Sequence, residues 1–345
     1  MQRIPAQSPR AVIASHLTQS LQLAFLCQLE RVSGSVTNEQ CFDSHEWFRD
    51  EGLHGGGLRY FISDSDFFNR ASINFSQVHY DDDDSKSLAS ATALSTIIHP
   101  QNPHAPSLHM HISWTELKEG RGYWRIMADL NPALVNTQHH QAFKQCLKQA
   151  APNQYDSGTA QGDRYFHIPV LNRHRGIQHF YLEQYNSGDN QGDINLAHAV
   201  GEAVIQCYCD LLAEVFNKPS KIEKSDVDKQ LAYHTLYFFQ VLTLDRGTTS
   251  GLLIHDQNDV GILASLPAQI DRELLSSWQE LMPEPQNFLL DAILQELPQT
   301  SPCLISEDIK DKLAKSIRQH YQNHPKAITL QASGGITPPT VANHR

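Results

Sequence analysis

The chain has few basic residues and no basic run. Its 345 residues include 27 Lys and Arg against 38 Asp and Glu, which gives a formal net charge of −11 with the 19 histidines neutral. Nucleic-acid binding needs a concentrated positive surface, and no cluster of five Lys or Arg residues occurs. The sequence therefore argues against nucleic acid as a partner, although a small basic pocket for an anion is compatible with it.

Long apolar segments and paired cysteines are also missing. No segment approaches the ~18 to 20 uncharged apolar residues that span a bilayer, and residues 1–20 contain no apolar signal core. The six cysteines form no C-x-x-C pair, so neither a zinc ribbon nor a thioredoxin-like site is indicated. We expect a soluble cytoplasmic protein with reduced thiols and no membrane span.

Several catalytic signatures are absent as well. The sequence has no G-x-S-x-G elbow, no P-loop, no G-x-G-x-x-G turn and no H-E-x-x-H helix. The sequence therefore gives no specific indication of a serine hydrolase of the elbow type, a P-loop nucleotide enzyme or a zincin protease.

The balance of residue types is typical of a globular protein. Hydrophobic residues make up 40% and charged residues 19%, and the length allows one large or two modest domains. Predicted strands come in runs with helices between them, and no repeat or convincing linker is found. This order favours a single α+β domain with a large, mainly antiparallel sheet flanked by helices on both sides. We expect a flexible arm over residues 1–14, the domain over 15–330 and a disordered tail over 331–345.

Hydrophobic periodicity predicts the individual elements. Helices are expected from an N-cap at Ser15 to Gly34, over 137–150, over 194–216, and over 269–322 with breaks at prolines. Strands are expected at 58–63, 71–75, 94–98, 109–115, 122–130, 177–185 and 235–245. A hairpin is expected from 251–255 and 260–266.

The densest chemical signal lies in residues 95–113, which read STIIHPQNPHAPSLHMHIS. A strand ends at His99 on a proline-rich turn, and the next strand begins near His109. Because side chains alternate between the two faces of a strand, His109, His111 and Ser113 share one face. Two histidines so placed can bind a metal or exchange protons near neutral pH. Chance placement among the 19 histidines remains the alternative.

Two aspartates at the ends of predicted strands are also candidate catalytic residues. Asp129 closes a strand that carries Arg125 on the same face, and Asp245 follows the apolar run 237–244. A carboxylate at a partly desolvated strand end can have its pKa tuned for catalysis. Turn formation by Asp129 and a salt bridge by Asp245 are alternatives that spacing alone leaves open.

Motifs between about Trp47 and Leu266 resemble the oxygen-dependent coproporphyrinogen III oxidase family. Residues 95–109 look like the family signature S-x-x-x-H-P-x-N-P-x-x-P-T-x-H, which places three prolines and two histidines at once. Four shorter segments follow in the family's order: D-L-N-P at 129–132, R-G-I at 175–177, D-R-G-T at 245–248 and S-L-P at 265–267. So many ordered matches favour homology.

The resemblance implies a homodimer that converts two propionates of coproporphyrinogen III to vinyl groups with O2. It implies no organic cofactor and leaves the role of a divalent metal unsettled. Carried over by position, His109 would be the proton donor and Asp245 would face the pyrrole nitrogens. The substrate-binding residues expected beside them are Ser95, His111, Ser113, Arg125, Asp129 and Arg175. The family's proposed metal histidines correspond to His99, His109 and His139.

Two family arginines are missing. The arginine four positions after the second signature histidine is Ser113 here, and the later G-G-R turn has no arginine counterpart in 255–259. Each charge-assisted contact to a carboxylate is worth about 1.5–3 kcal/mol, so losing both would weaken substrate binding about 10²- to 10⁴-fold. Arg125 is expected to restore one contact. The alternative is a non-catalytic or retasked paralogue that binds a tetrapyrrole in the same cleft.

Overall fold

The computed structural model describes residues 1–34, 42–63, 65–218, 220–337 and 339–344. Its central feature is an antiparallel sheet of seven strands that lie in chain order from β1 to β7. The strands are β1 Asp43–Phe48, β2 Gly55–Ser63, β3 Phe68–His79, β4 Leu88–Pro100, β5 Ser107–Leu117, β6 Gly122–Asn131 and β7 Gln178–Tyr185.

Helices pack on both faces of this sheet, which confirms the predicted α+β class. Their bounds are α1 Pro9–Gly34, α2 Thr137–Ala150, α3 Tyr155–Phe166, α4 Asn190–Asn217, α5 Lys224–Thr243, α6 Arg246–Ile254, α7 Asp259–Ile262, α8 Arg272–Ser276, α9 Gln286–Glu296, α10 Glu307–Asn323 and α11 Thr340–Asn343. The helices α1, α2 and α4 share a core with one face, and α5, α9 and α10 form the core on the other. No helix within the described ranges is long and apolar enough to cross a membrane.

The alternation of apolar and polar side chains along β5 identifies the face of the sheet on which the candidate site residues lie. Met110 and Ile112 are fully buried in the core beneath α1 and α4. A Cβ on Gly201 of α4 would lie 2.5 Å from a Leu21 methyl carbon and 2.9 Å from one of Ile112, so α1, α4 and the sheet meet closely there. The polar side chains of β5 therefore point to the opposite face, towards α5 and α6.

The N-terminal prediction is wrong over residues 9–14. These residues belong to α1, and Ala11 and Ala14 are buried. Ser8 begins the helix, because its Oγ accepts a hydrogen bond from the Ala11 N–H at 3.0 Å. Proline at the first helical position, here Pro9, is well suited to a helix start. Residues 9–14 of the flexible arm expected over 1–14 are thus helix.

The strand predicted at 235–245 and the hairpin predicted at 251–266 are also wrong. The first lies in α5 and the second forms α6, α7 and short 3₁₀ turns. Every residue from 233 to 243 is buried, so the second half of this helix has no exposed face, whereas 224–232 contains no buried residue. A helical segment that is buried on all sides lacks the 3.6-residue period and resembles a buried strand in sequence. The helix α3 was not predicted at all.

The C-terminal prediction is wrong for the residues that the structure describes. Residues 331–337 and 339–344 pack against the domain, and Gln331 and Asn343 are buried. The Ala332 N–H donates to the Leu244 carbonyl oxygen and the Gly334 N–H donates to Glu183 Oε2, both at 2.9 Å. The described cysteines are all free thiols, and Cys41 lies outside the described residues.

Candidate active site

A cavity of about 260 Å³ lies between the polar face of the sheet and the helices α5 and α6. Strands β3 to β7 contribute its floor through side chains that alternate with core residues. Six of the predicted site residues line it: Ser95, His109, His111, Ser113, Arg125 and Asp245. The central expectation of one shared cavity therefore holds for these six.

His109 is supported by a buried ion pair. It lies directly opposite Asp129 in the β5–β6 register, and its Nδ1 is 3.0 Å from Asp129 Oδ1. The second oxygen of Asp129 accepts hydrogen bonds from Arg175 Nη2 at 2.7 Å and from Asn131 Nδ2 at 2.6 Å. Burial by itself raises the pKa of Asp129, but the Arg175 charge and the bonds from His109 and Asn131 lower it to about 2.

Asp129 and Arg175 do not touch the cavity themselves. Both side chains are fully buried, so the predicted direct contact with substrate is wrong. The Arg175 guanidinium lies between two rings, 4.6 Å from the centroid of Phe166 and 4.8 Å from that of Tyr237. The pair instead fixes the His109 ring through Nδ1, which leaves Nε2 as the nitrogen available to a ligand.

Asp245 is held by two donors at the start of α6. It is the N-cap residue, and its Oδ2 accepts the Thr248 N–H at 2.8 Å. Its Oδ1 accepts a hydrogen bond from the Tyr165 hydroxyl at 3.0 Å. Burial and the nearby carboxylate raise the pKa of Tyr165 well above its usual value, so this hydroxyl stays a donor. The carboxylate is thus oriented rigidly beside the cavity.

Arg125 brings a cation to the cavity wall. It lies directly opposite Ser113 in the β5–β6 register. Its Nε is buried without a hydrogen-bond partner, and the charge of Glu183 on β7 stabilises the guanidinium without an ion-pair contact. Burial, followed by the charges of Arg125 and His109, lowers the pKa of His111 well below its usual range. His111 is therefore neutral, and its Nε2 lies 3.0 Å from Ser113 Oγ.

The predicted metal histidines do not come together. His99 is fully buried, and its ring nitrogens lie 3.0 Å from Ser107 Oγ and 3.2 Å from the Ser265 carbonyl oxygen. His139 lies on α2, 3.9 Å from Glu214 of α4, on the other side of the sheet from His109. Among the described residues, no group of three His, Cys, Asp or Glu side chains could hold a metal ion. The predicted set is wrong, and no step is derived through a metal.

Sequence reasoning missed several cavity residues. These are Tyr165, Tyr181 and Tyr237 in the inner part, and Trp47, His255, Asn343 and His344 at the far end. Tyr181 could have been found, because it alternates with core residues on β7 and pairs with Met127. Tyr165 and Tyr237 lie on helices that the sequence pattern did not reveal. The last two lie in the segment expected to be disordered.

Comparison with known proteins agrees with the motifs. A family model described as coproporphyrinogen III oxidase matches residues 14–290. The rat mitochondrial oxygen-dependent coproporphyrinogen-III oxidase is 26% identical over 295 residues, which cover 78% of this chain and 64% of that protein. The Drosophila melanogaster oxygen-dependent coproporphyrinogen-III oxidase is 29% identical over 272 residues, which cover 72% of this chain and 67% of that protein. The alignment with the rat enzyme therefore leaves about a third of that enzyme unmatched.

Proposed function

The chain belongs to the coproporphyrinogen III oxidase family, and we propose that it oxidatively decarboxylates propionate side chains of coproporphyrinogen III to vinyl groups. Each propionate loses its carboxylate as CO2 and one hydride, whose electron pair reduces O2, with a proton, to H2O2. The observation that carries this proposal is the placement of His109, Asp245 and Arg125 on the walls of one cavity. O2 is the co-substrate, and no organic cofactor is invoked.

His109 is proposed to supply the proton that O2 reduction requires. The Asp129 carboxylate accepts from its Nδ1 and so keeps the ring in one orientation, with Nε2 towards the cavity. An imidazole can donate a proton as a general acid and take one up again between turnovers.

Asp245 is proposed to bind the pyrrole N–H groups of the substrate. Its two oxygens already accept bonds from Thr248 and Tyr165, which fix the carboxylate plane. Each oxygen retains a further lone pair for a substrate donor. Positive charge that develops on the macrocycle as the hydride leaves would be stabilised by this fixed carboxylate.

Arg125 is proposed to bind a propionate. The buried Nε of Arg125 has no hydrogen-bond partner, and Glu183 attracts the guanidinium without an ion-pair contact, so a carboxylate ligand would satisfy it with two parallel N–H···O bonds. Its position opposite Ser113 places a cation one strand away from the arginine that the family has at that site. The altered carboxylate contacts expected from the sequence would then be a relocation of charge.

The test is turnover of coproporphyrinogen III under O2 by the purified chain, followed through the fluorescence of oxidised protoporphyrin. Asp245→Ala should lower kcat at least about 10²-fold, the usual loss when a charge-stabilising group is removed. Asp66→Ala, which alters an exposed aspartate, is the matched control. Tight porphyrin binding by the unaltered chain without any turnover would instead support a binding paralogue. The homodimer and the cytoplasmic location stay predictions.

A further inference from the structure

Two cysteines meet between neighbouring helices on the face of the sheet opposite the cavity. Cys146 lies on α2 and Cys207 on α4, and both side chains are partly exposed. The Sγ of Cys146 lies 3.1 Å from the Ala203 carbonyl oxygen of α4. Ala203 precedes Cys207 by four residues, so the two lie on the same side of α4. The Cys146 thiol is therefore packed against the turn of α4 that leads to Cys207.

A second contact between the two helices gives the same register. His139 of α2 lies 3.9 Å from Glu214 of α4, measured from Nε2 to Oε2. Cys146 comes seven residues after His139, and Cys207 comes seven residues before Glu214. Because seven residues are close to two helical turns, each cysteine lies on the same side of its helix as its partner in that spacing. The helices thus run antiparallel, and Cys146 faces Cys207.

The two thiols interact directly and differ in acidity. A hydrogen bond from the Cys146 S–H to the Cys207 sulfur raises the pKa of Cys146 and lowers the pKa of Cys207. Burial and the charge of Asp210 oppose the second effect without cancelling it. The thiolate is the nucleophilic form of cysteine. Cys207 is therefore the thiol prepared to react first, and Cys146 is the second thiol beside it.

We propose that Cys146 and Cys207 close to a disulfide between α2 and α4 when the protein meets hydrogen peroxide, with Cys207 as the attacking thiol. Two sulfur atoms in hydrogen-bonding contact need only a small further approach to reach the S–S distance of about 2.05 Å. The source of the peroxide rests on the proposed function, because H2O2 is one of its products. The reaction of the pair with peroxide does not depend on that function.

The reaction takes place in two steps. The Cys207 thiolate attacks one oxygen of H2O2 and the O–O bond breaks, which gives a sulfenic acid and a hydroxide that is protonated to water. The Cys146 sulfur then loses its proton and attacks the Cys207 sulfur. The S–S bond forms, the S–O bond breaks and the second oxygen leaves as water. Two thiols have lost two electrons and two protons, and H2O2 has been reduced to two water molecules.

The disulfide would close the part of the chain between α2 and α4 into a loop. This loop contains α3, whose Tyr165 donates to Asp245, and Arg175, which pairs with Asp129. A disulfide stabilises a protein chiefly by restricting the unfolded chain. The oxidised protein should therefore melt about 3–6 °C above the reduced protein. An equal or lower melting temperature after oxidation would overturn this stabilising role.

The first test counts thiols in the denatured full chain before and after treatment with a small molar excess of H2O2. The chain has six cysteines, and oxidation should remove two thiols from the count. Mass spectrometry of a protease digest should find the peptides of Cys146 and Cys207 joined and lighter by two hydrogens. Cys27→Ser, which removes an exposed cysteine on α1, is the matched control and should give the same joined peptides. An unchanged thiol count, or joined peptides that lack either cysteine, would overturn the proposal.

Serine variants test the order of the two steps. In Cys146→Ser the hydroxyl can still donate a hydrogen bond to Cys207, so Cys207 should form a sulfenic acid that dimedone labels. In Cys207→Ser the remaining Cys146 thiol has a raised pKa and should stay unlabelled. A Cys207 that is not labelled in the first variant, or a labelled Cys146 in the second, would overturn the assigned order.

The outcome of these tests is separate from that of the proposed function. Peroxide is added directly, so the thiol count and the joined peptides are obtained without turnover. Failure of the unaltered chain to oxidise coproporphyrinogen III would reject the proposed function and leave the disulfide result standing. A chain that turns over but keeps all its thiols in added peroxide would reject the disulfide alone.

Discussion

At the residue scale, His109 depends on a carboxylate that no ligand can reach. Asp129 is fully buried, yet one of its oxygens orients the His109 ring and the other neutralises Arg175. The alternation of side chains predicted that His109 lies on the polar face. It could not predict this partnership, because which strand pairs with β5 and in which register is a property of the whole sheet.

Asp129→Asn should therefore damage both stability and chemistry. The substitution leaves Arg175 as a buried cation without its counter-charge, which costs about 3–5 kcal/mol in the free energy of unfolding. The amide also offers one acceptor oxygen where the carboxylate offers two, so an NH2 group would face either His109 or Arg175, and a His109 ring that is no longer held in place should lower kcat about 10²-fold or more. Urea denaturation and steady-state kinetics measure the two effects, with the exposed Asp66→Asn as control. Unfolding at an unchanged urea concentration would show that the ion pair is not essential.

A second substitution tests the Arg125 guanidinium. Arg125→Ala should raise KM about 10- to 10²-fold with a smaller change in kcat, because one charge-assisted carboxylate contact worth about 1.5–3 kcal/mol is lost. Arg125→Lys keeps the charge but not the planar guanidinium, so its KM should lie between that of the unaltered chain and that of Arg125→Ala. Arg31→Ala, on the exposed side of α1, serves as the matched control. A KM equal to that of the unaltered chain would reject the propionate contact.

At the scale of secondary structure, the polar faces of the strands were predictable and the helices around the cavity were not. The pattern in β5 and β6 placed His109, His111 and Arg125 correctly because one face of each strand is apolar. In residues 233–243 of α5, burial on all sides erased the period that identifies a helix, and Tyr237 was missed for this reason. Tyr165 lies on α3, which buries one face only, and its role follows from packing against the sheet.

The packing of α3 on β7 offers a test at this scale. A Cβ at Gly162 would lie 2.7 Å from the Cβ of His179 and 3.1 Å from the Phe180 backbone nitrogen. Gly162→Ala should force α3 outwards, lowering the free energy of unfolding by about 1–3 kcal/mol. The displaced Tyr165 would release Asp245, so kcat should fall as well. Gly34→Ala, where the described residues leave open space around the new Cβ, should leave both quantities unchanged.

At the scale of the whole molecule, buried histidines link folding to pH. Burial lowers the pKa of His234 and of His255 to about 3. It also lowers the pKa of His320 and of His344 to about 4. In the unfolded chain the same groups titrate near pH 6.5. The folded protein therefore keeps all four rings neutral under conditions in which the unfolded chain would protonate them.

Stability should consequently fall as the solution is acidified. Between about pH 6.5 and pH 4 the unfolded chain takes up protons that the folded chain does not, so the free energy of unfolding drops by up to about 1.4 kcal/mol per pH unit for each histidine. Asp129, with its pKa lowered to about 2, adds a further loss below pH 4. Urea denaturation at several pH values measures the slope. A stability that stays constant from pH 7.5 to pH 4.5 would contradict the neutral buried rings.

The pairing of Ser113 with Arg125 bears on how relatives of this protein should be compared. In a sheet, adjacent strands are only about 4.8 Å apart, so a functional group can move sideways by one strand and still face the same ligand. An alignment column records such a move as a loss at one position and an unrelated gain twelve residues later. Where a relative lacks an arginine in one alignment column, the residues opposite that position on the adjacent strands should be inspected before the relative is assumed to be inactive.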